Sequence, residues 1–432
     1  MLDFIDKSPS PHYVVKNIES VLRSNGFQEL SEKDKWILNP GKYYVKRSGT
    51  SVIAVNIPSN DFLGYNVIAS HSDSPAFKVK IHPEMKSEDA YIKLNVEKYG
   101  GMILSTWFDR PLSVSGMIAY KTADGVGTKL VNIERDLLVI PSLAIHMDRD
   151  SNKGHEISAQ KEMLPLFSMI SGKEKAASDS FLSFIANETG IEKDDILDFD
   201  LYLYNREKGT NFGENGEFVL APRLDDLGCA YTTLEGFISA VPKKTASVYA
   251  VFNNEEVGSS TKQGAASDFL EHVLKRINAA FQRSEEEYMM SLQNSFMVSA
   301  DNAHAVHPNY SEKADPVNKP KLNGGIVIKY NANQKYTTDS ISAAIFKHIC
   351  DSADVPVQEY VNNSDIAGGS TLGSIATSRV SMKSVDIGLP QLSMHSAMET
   401  GGMKDIEYMI KAAEKFYSSD IESDDEGNYK IG

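Results

Sequence analysis

The chain has 432 residues, and its 44 basic and 59 acidic side chains give a formal net charge of −15. This length suffices for two or three domains, and a hydrophobic content of 41% is ordinary for a globular protein. The negative charge disfavours a nucleic-acid partner, and Cys229 and Cys350 are too few for a disulfide framework or a cysteine zinc site.

The sequence contains no sign of a membrane segment. No apolar run approaches the roughly 18 residues that a membrane-spanning helix requires. Residues 1–6 carry acidic side chains and lack the basic and apolar regions of a signal peptide. We therefore expect a cytoplasmic protein.

The N-terminal part predicts one helix followed by strands. Ser10 is suited to the N-cap and Pro11 to the first helical position, and apolar residues then recur at helical spacing up to residue 24. Short apolar stretches next predict strands at residues 43–47, 51–57 and 65–70. The last of these runs directly into a polar loop.

The remaining chain divides into two parts. Between residues 81 and 219, β-rich pieces precede polar helical segments. After residue 220, helices and strands alternate. Such alternation predicts a mostly parallel sheet covered by helices, an α/β fold. We expect residues 1–80 and 220–432 to form one domain, with 81–219 inserted as a β-rich domain. The acidic residues after 418 predict a solvated tail. The predicted helices are 227–239, 267–282, 340–350 and 403–417, and the strands are 246–252, 295–300, 325–330 and 384–388.

Polar residues just after the predicted strands form a group of candidate site residues. In an open α/β sheet, ligands bind at the carboxyl ends of the strands. Buried unpaired carboxylates repel one another and are tolerable mainly around cations. Imidazole and carboxylate ligands without thiolates favour Zn²⁺, Mn²⁺ or Co²⁺ over Ca²⁺ or an iron–sulfur cluster. The group contains His71, Asp73, Asp225, Asp226, Glu255, Glu256, Asp301, His304 and His395.

Each of these residues alone has a simpler interpretation. A single histidine after a strand is usually structural, and Asp226 could cap the helix predicted from residue 227. The pair Glu255-Glu256 could be a solvated turn. Their joint occurrence favours a site, because residues 253–258 follow a fully apolar strand, where surface-type residues have no reason to gather.

Five motifs, in this order, resemble those of the aspartyl aminopeptidase family of dinuclear zinc aminopeptidases. The resemblance covers essentially the whole chain, including the inserted region. The motifs are Ala69-Ser70-His71-Ser72-Asp73-Ser74-Pro75, Arg223-Leu224-Asp225-Asp226, Asn254-Glu255-Glu256-Val257-Gly258, Ser299-Ala300-Asp301-Asn302-Ala303-His304 and Gln391-Leu392-Ser393-Met394-His395-Ser396.

The resemblance implies a set of metal ligands. Asp225 would bridge two divalent metal ions. His71 and Asp301 would complete the shell of one metal, and Glu256 and His395 that of the other. The ions are expected to be zinc, with Mn²⁺ or Co²⁺ as alternatives because the same ligands suit all three.

The resemblance also implies roles around the metals. Glu255 would be the general base that takes a proton from the shared water and returns it to the leaving amine. Asp73 would orient the imidazole of His71. His146 would reach a neighbouring subunit's active site to bind substrate, with a metal role left open. Lys329 matches the position that meets an acidic substrate side chain, and its alternative is a solvated strand end.

The resulting hypothesis is a metal-dependent aminopeptidase that acts on peptides, preferably with N-terminal Asp or Glu, although some relatives take neutral residues such as Leu. The family implies a zinc-peptidase-like catalytic domain and an inserted dimerisation domain, with dimers built into a tetrahedral dodecamer. One alternative is a related dinuclear amidohydrolase, a deacylase or carboxypeptidase, which the pair Glu255-Glu256 would serve equally. Another is a non-catalytic peptide-binding scaffold, which the presence of every expected ligand disfavours.

Overall fold

The computed structural model describes residues 1–170, 180–424 and 426–432. Among these residues, no helix is long and apolar enough to cross a membrane. The α-helices are α1 (Leu2–Asp6), α2 (Pro11–Ser24), α3 (Ala159–Glu162), α4 (Ser180–Thr189), α5 (Leu224–Ser239), α6 (Phe269–Ala280), α7 (Glu285–Gln293), α8 (Ser340–Asp351), α9 (Leu372–Arg379) and α10 (Met403–Tyr417). The strands are β1 (Gln28–Leu30), β2 (Gly41–Arg47), β3 (Ser51–Ile57), β4 (Tyr65–His71), β5 (Ala76–Ser87), β6 (Tyr91–Tyr99), β7 (Leu112–Thr122), β8 (Gly125–Asn132), β9 (Leu166–Met169), β10 (Ile196–Asn205), β11 (Thr210–Phe212), β12 (Phe218–Ala221), β13 (Ala246–Phe252), β14 (Phe296–Ala300), β15 (Ala303–His304), β16 (Ile326–Tyr330), β17 (Val357–Val361), β18 (Lys383–Gly388), β19 (Pro390–Leu392), β20 (Glu399–Gly402), β21 (Ile421–Ser423) and β22 (Tyr429–Ile431).

A nine-stranded sheet forms the centre of the protein, with strand order β1-β2-β3-β13-β4-β14-β18-β16-β17. Its four middle strands, β13, β4, β14 and β18, run parallel to one another. The flanking strands β3 and β16 pair with them in antiparallel fashion. The prediction of an α/β fold is therefore confirmed, and the sheet is mixed because β3, β16 and β17 run opposite to the middle strands.

Helices cover both faces of this sheet. β13 is buried along its whole length, and its side chains alternate between the two faces, as the pleat of a strand requires. Tyr249 and Val251 pack into a core shared with α2, α5, α8 and α10. Val248 and Ala250 pack into a second core shared with α6 and α9. A strand buried on both faces has no solvent-facing positions, which explains its mostly apolar sequence, and its buried Ser247 donates a hydrogen bond to the carbonyl oxygen of Tyr417 at 2.9 Å.

A separate six-stranded sheet has the order β8-β7-β10-β5-β6-β9. Its neighbouring strands pair antiparallel, and all of them lie between residues 76 and 205. This sheet has its own apolar core, which includes Phe77, Trp107 and Phe181. The sheet therefore falls largely within the predicted insertion, although the domain boundaries themselves remain a prediction.

The predicted solvated tail after residue 418 is wrong. β21 and β22 form an antiparallel hairpin, and Ser419 and Asp420 are buried. The carboxylate of Asp420 accepts hydrogen bonds from the backbone N–H groups of Lys244 and Thr245, at 3.1 and 2.9 Å. Charge counting missed this arrangement because an acidic side chain with backbone donors can anchor a segment against the sheet.

Candidate metal centre

The central sheet delivers the predicted site residues to one edge. His71 is the last residue of β4, and it pairs in parallel register with Phe252, the last residue of β13. Glu255 and Glu256 follow β13 in a short 3₁₀ turn. Asp301 directly follows β14, the neighbour of β4 on its other side. Parallel strands end at the same edge, so these side chains emerge together.

Two further elements complete the arrangement. Asp225 and Asp226 lie in the first turn of α5 and are almost fully buried. His395 lies in the loop between β19 and β20, which belong to a five-stranded sheet of order β11-β12-β20-β19-β15. The carboxylate of Glu399 in β20 joins the two elements, because it accepts hydrogen bonds from the backbone N–H groups of Asp225 at 3.0 Å and of His395 at 2.6 Å.

The collected side chains form a compact group, here called the metal cluster. Their possible ligand atoms meet in three overlapping sets, and within each set the atoms lie within 4.8 Å of one another. Shared members join the sets into one group. The members are His71, Asp225, Asp226, Glu255, Glu256, Asp301 and His395.

Asp225 lies between the two histidines of the cluster. Its Oδ1 is 3.5 Å from Nε2 of His71, and its Oδ2 is 3.5 Å from Nε2 of His395. The other ring nitrogen of each histidine contacts a backbone carbonyl, that of Asp73 at 3.0 Å and that of Gly101 at 2.8 Å. Because a carbonyl oxygen can only accept, each Nδ1 carries the hydrogen and each Nε2 faces the carboxylates.

Several oxygens of the cluster have no protein partner. Asp225 Oδ1, Asp226 Oδ1 and Glu256 Oε1 are buried and accept no hydrogen bond from the part of the chain that the structure describes. A buried carboxylate oxygen without a partner is costly, and a cation would compensate for it. Imidazole nitrogens together with carboxylate oxygens suit Zn²⁺, Mn²⁺ or Co²⁺, so the residues present fit the metals expected from the sequence.

The electrostatics of the cluster also favour added positive charge. Burial raises the pKa of Glu255 to about 8; His71 opposes this shift, and Asp301 adds to it. Burial raises the pKa of Asp226 as well. Burial lowers the pKa of His395, but the hydrogen bond to Asp225 and the charge of Glu256 outweigh it and bring the pKa to about 10. The cluster therefore takes up protons or cations readily.

Asp73 makes two kinds of contact beside the cluster. Its backbone carbonyl, rather than its carboxylate, lies at hydrogen-bond distance from Nδ1 of His71, and the carboxylate oxygen is 3.6 Å away. The carboxylate itself accepts hydrogen bonds from the backbone N–H groups of Glu255 and Glu256, both at 3.1 Å. Asp73 thus contacts the imidazole through its backbone and holds the glutamate turn through its side chain.

A cavity of about 300 Å³ lies beside the cluster, and Lys329 forms part of its wall. Lys329 is only 2% exposed, so the alternative of a solvated strand end is wrong. Its Nζ donates to the carbonyl oxygens of Asp301 at 2.7 Å and Asn302 at 3.3 Å. Other residues lining the cavity are Glu255, His304, Tyr336, Tyr360, Thr371 and His395.

His146 lies apart from this cavity, whose described lining does not include it. Residues 141–147 are all exposed, and the apolar side chains of Leu143, Ile145 and Met147 are 62%, 41% and 77% exposed. Within one chain, the structure therefore does not bring His146 to the metal cluster.

Sequence reasoning missed Glu399 and left Asp226 ambiguous. Asp226 accepts a hydrogen bond from the backbone N–H of His71 at 3.2 Å, so its carboxylate points into the cluster and does not cap α5. Glu399 lies four residues after His395 in an otherwise uncharged stretch, which was the available signal for it. Its two shortest hydrogen bonds come from backbone groups, which leave no residue pattern in a sequence, and the amide of Gln391 donates to it at 3.5 Å.

Comparison with known proteins identifies the family. The sequence profile described as "Aminopeptidase I zinc metalloprotease (M18)" matches residues 4–417. The chain belongs to the M18 family. The M18 protein of Clostridium acetobutylicum called "Probable M18 family aminopeptidase 2" is 47% identical over 423 residues, which cover 97% of this chain and 98% of that protein. The resemblance found in the motifs is confirmed, and the chain is a metallo-aminopeptidase.

Solved structures support the same family and fold. A chain of the "Cryo-EM structure of the Ape4 and Nbr1 complex" superposes with a TM-score of 0.91 at 38% identity, covering 96% of this chain and 84% of that one. The "Structure of S. cerevesiae mApe1 dodecamer" gives a TM-score of 0.84 at 27% identity, with 96% and 95% coverage. The M18 fold therefore extends over nearly the whole chain.

Removing the metals should make the stability of this M18 enzyme fall as the pH rises. The pKa of Glu255 and of Glu399 is raised to about 8, so the folded chain holds protons that the unfolded chain has already released. Stability from these groups is present at low pH and is lost as the pH rises through about 8, and the raised pKa of His395 acts in the same direction. Bound cations would replace these protons. The measurement is the unfolding temperature of chelated and zinc-loaded protein from about pH 5 to about pH 9.

The chelated variant Glu255→Gln is the matched control for this experiment. It keeps the shape of the side chain but removes one titrating carboxyl, so its stability should fall less steeply with pH than that of the chelated wild type. Parallel curves for the chelated and the zinc-loaded wild type would contradict the prediction.

Proposed function

We propose that this M18 enzyme removes N-terminal residues from peptides with two divalent cations, most simply zinc. The main support is the position of Asp225, whose two oxygens each face a different imidazole. Asp225 would bridge the two cations. His71 and Asp301 would complete one site, and Glu256 and His395 the other.

The proposed chemistry divides between the cations and Glu255. When bound, two cations would supply the charge that lowers the pKa of a water molecule and polarises the peptide carbonyl. Glu255 is the proposed general base, because it lines the cavity beside the cluster and its backbone is held by Asp73. Its carboxylate would accept a proton from this water and return it to the leaving amine. Asp73 would support the reaction because its carboxylate holds the backbone of Glu255.

The proposed preference for N-terminal Asp or Glu rests on Lys329. Its ammonium group has three hydrogens, and two backbone carbonyls account for two of them. The nearby carboxylate oxygen Oδ1 of Asp301 is 3.9 Å from Nζ, beyond hydrogen-bond distance, so the third hydrogen would serve a substrate carboxylate in the cavity. The formal charge of −15 repels acidic peptides at a distance, so a buried lysine would supply the attraction locally.

We also propose self-association in which His146 enters the active site of a neighbouring subunit. The exposed apolar residues around it, Leu143, Ile145 and Met147, form the kind of surface that a partner covers. The mApe1 structure, at 27% identity, is described as a dodecamer. Dimers assembled into a tetrahedral dodecamer are the form proposed here, and the cytoplasmic location stays a prediction.

Glu255→Gln should abolish turnover and leave metal binding intact. The amide keeps the size of the side chain but cannot accept the proton, so kcat should fall about 10²- to 10⁴-fold. The measurements are kcat on aminoacyl amides and the metal content of the purified variant. Loss of metal from the variant would show instead that Glu255 is a ligand.

Lys329→Met should selectively reduce cleavage of acidic substrates. Loss of a charged hydrogen bond predicts about a 10- to 100-fold lower kcat/KM for Asp and Glu substrates, with little change for Leu. The measurement is a panel of Asp-, Glu-, Leu- and Lys-aminoacyl substrates, each tested after chelation and after return of Zn²⁺, Mn²⁺ or Co²⁺.

The matched control for this panel is Lys335→Met. Lys335 also donates to a loop carbonyl, that of Gly368 at 2.7 Å, but it does not line the cavity. An equal loss on all substrates, with reduced metal content, would identify Lys329 as a structural lysine that holds Asp301.

His146→Ala should depress turnover, and mixing should restore part of it. If His146 acts in the partner's site, a dimer of His146→Ala and Glu255→Gln chains contains one intact site. Co-refolding or co-expressing the two inactive variants should recover roughly a quarter of wild-type activity when dimers form at random. Unchanged kinetics in His146→Ala alone would remove this residue from the site.

A further inference from the structure

A short segment at the end of β6, residues 99–103, reaches from the six-stranded sheet to the metal cluster. It begins with Tyr99 and continues with Gly100 and Gly101. None of its residues belongs to the cluster itself. It nevertheless contacts His395, lies against Glu256 and is connected to Glu255 through Asp73.

The backbone of the segment holds His395 at two points. The carbonyl oxygen of Gly101 accepts the hydrogen of Nδ1 at 2.8 Å, and the N–H of Ile103 donates to the carbonyl oxygen of His395 at 2.9 Å. The first contact fixes which ring nitrogen carries the hydrogen. It thereby directs Nε2 toward Glu256 Oε1, 3.4 Å away, and Asp225 Oδ2, 3.5 Å away.

Gly100 lets the same backbone pack against Glu256. Its φ is +75°, a conformation that residues with side chains rarely adopt. A Cβ at this position would lie 3.1 Å from Cβ of Glu256 and 3.3 Å from its Oε2. A larger residue would therefore push on the carboxylate that shares the contact with His395.

Tyr99 supports the glutamates indirectly, through Asp73. Its hydroxyl donates to Oδ2 of Asp73 at 2.7 Å and accepts from Nδ2 of Asn254 at 2.8 Å. Asp73 in turn accepts the backbone N–H groups of Glu255 and Glu256. A hydrogen-bond chain thus leads from the six-stranded sheet to the backbone of the proposed base.

We propose that the 99–103 segment positions the half of the metal centre formed by Glu256 and His395. The inference rests on the proposed ligand roles of these two residues. The segment acts through them and through Asp73, so its members are positioning residues. The six-stranded sheet of each chain would then complete the metal centre of that same chain.

The first test is cobalt titration of the full-length protein and of Gly100→Ala, followed by Co²⁺ absorption and calorimetry without substrate. The variant should bind one Co²⁺ per chain as the wild type does and the second about 10- to 100-fold more weakly, the usual cost of disturbing the support of a ligand. Gly154→Ala is the matched control. Gly154 also has a positive φ, +85°, but a Cβ there meets no atom within 4 Å.

The second test is Tyr99→Phe, which removes only the hydroxyl. We expect kcat to fall about tenfold, KM to stay unchanged and the absorption bands of bound Co²⁺ to shift. Tyr202→Phe is the control, because Tyr202 packs edge-on against Tyr99 with ring centroids 5.4 Å apart. Tyr99→Phe also keeps the proposal testable if Gly100→Ala does not fold.

Binding of both cobalt ions to Gly100→Ala with wild-type affinity would overturn the proposal. So would a Tyr99→Phe variant whose spectrum and kcat match those of Tyr202→Phe. The cobalt measurements need no peptide, which separates this test from that of the proposed function. A wild type that binds two ions but cleaves no peptide would contradict the function alone, and the comparison of Gly100→Ala with Gly154→Ala would still decide the role of the segment.

Discussion

Mutual repulsion of buried carboxylates governs how the residues around the metal cluster are arranged. Some carboxylates at the sheet edge are satisfied by backbone amides: Asp73 accepts two and Glu399 accepts two. Asp225, Asp226 and Glu256 each keep a buried oxygen without a donor among the described residues. Backbone N–H groups thus satisfy the carboxylates that support the cluster. The carboxylates that face its centre keep oxygens that accept no hydrogen bond from the described residues. A cation is the natural partner for these oxygens.

The central sheet brings these charges together because its middle strands are parallel. His71, the pair Glu255-Glu256 and Asp301 each follow a different strand, and parallel pairing places those three strand ends side by side. A slip of one residue in either pairing would turn the side chains at the strand end to the opposite face. Unbroken apolar packing on both faces of β13 fixes that register, so the hydrophobic core determines the geometry of a polar site.

Regular elements could be predicted where one local pattern determines them. The strands at 51–57 and 246–252 and the helix at 403–417 have the predicted bounds, because each carries its own apolar pattern. The C-terminal hairpin depends on Asp420 meeting Thr245, 175 positions away in the chain, and no local pattern signals that contact. The site follows the same division. Candidate residues placed after strands could be named from the sequence, and the structure brings them together. Glu399 and Tyr99 could not be named, because they act through backbone groups or through another side chain.

The inserted region has two proposed tasks, one in the segment that follows β6 and one in the exposed loop that carries His146. On the proposed assignments, residues 99–103 support Glu256 and His395 of their own chain, while His146 serves a neighbour's site. Gly101 and Ile103 contact His395 through hydrogen bonds of 2.8 and 2.9 Å, which tolerate little displacement. Any shift of the sheet when subunits associate would therefore reach the metal ligands. Coupling free energies are reciprocal, so bound metal would in turn favour the sheet position that association requires. On these proposals, metal binding and assembly would be linked through the inserted region, which supports the ligands of its own chain and carries His146 to the neighbouring site.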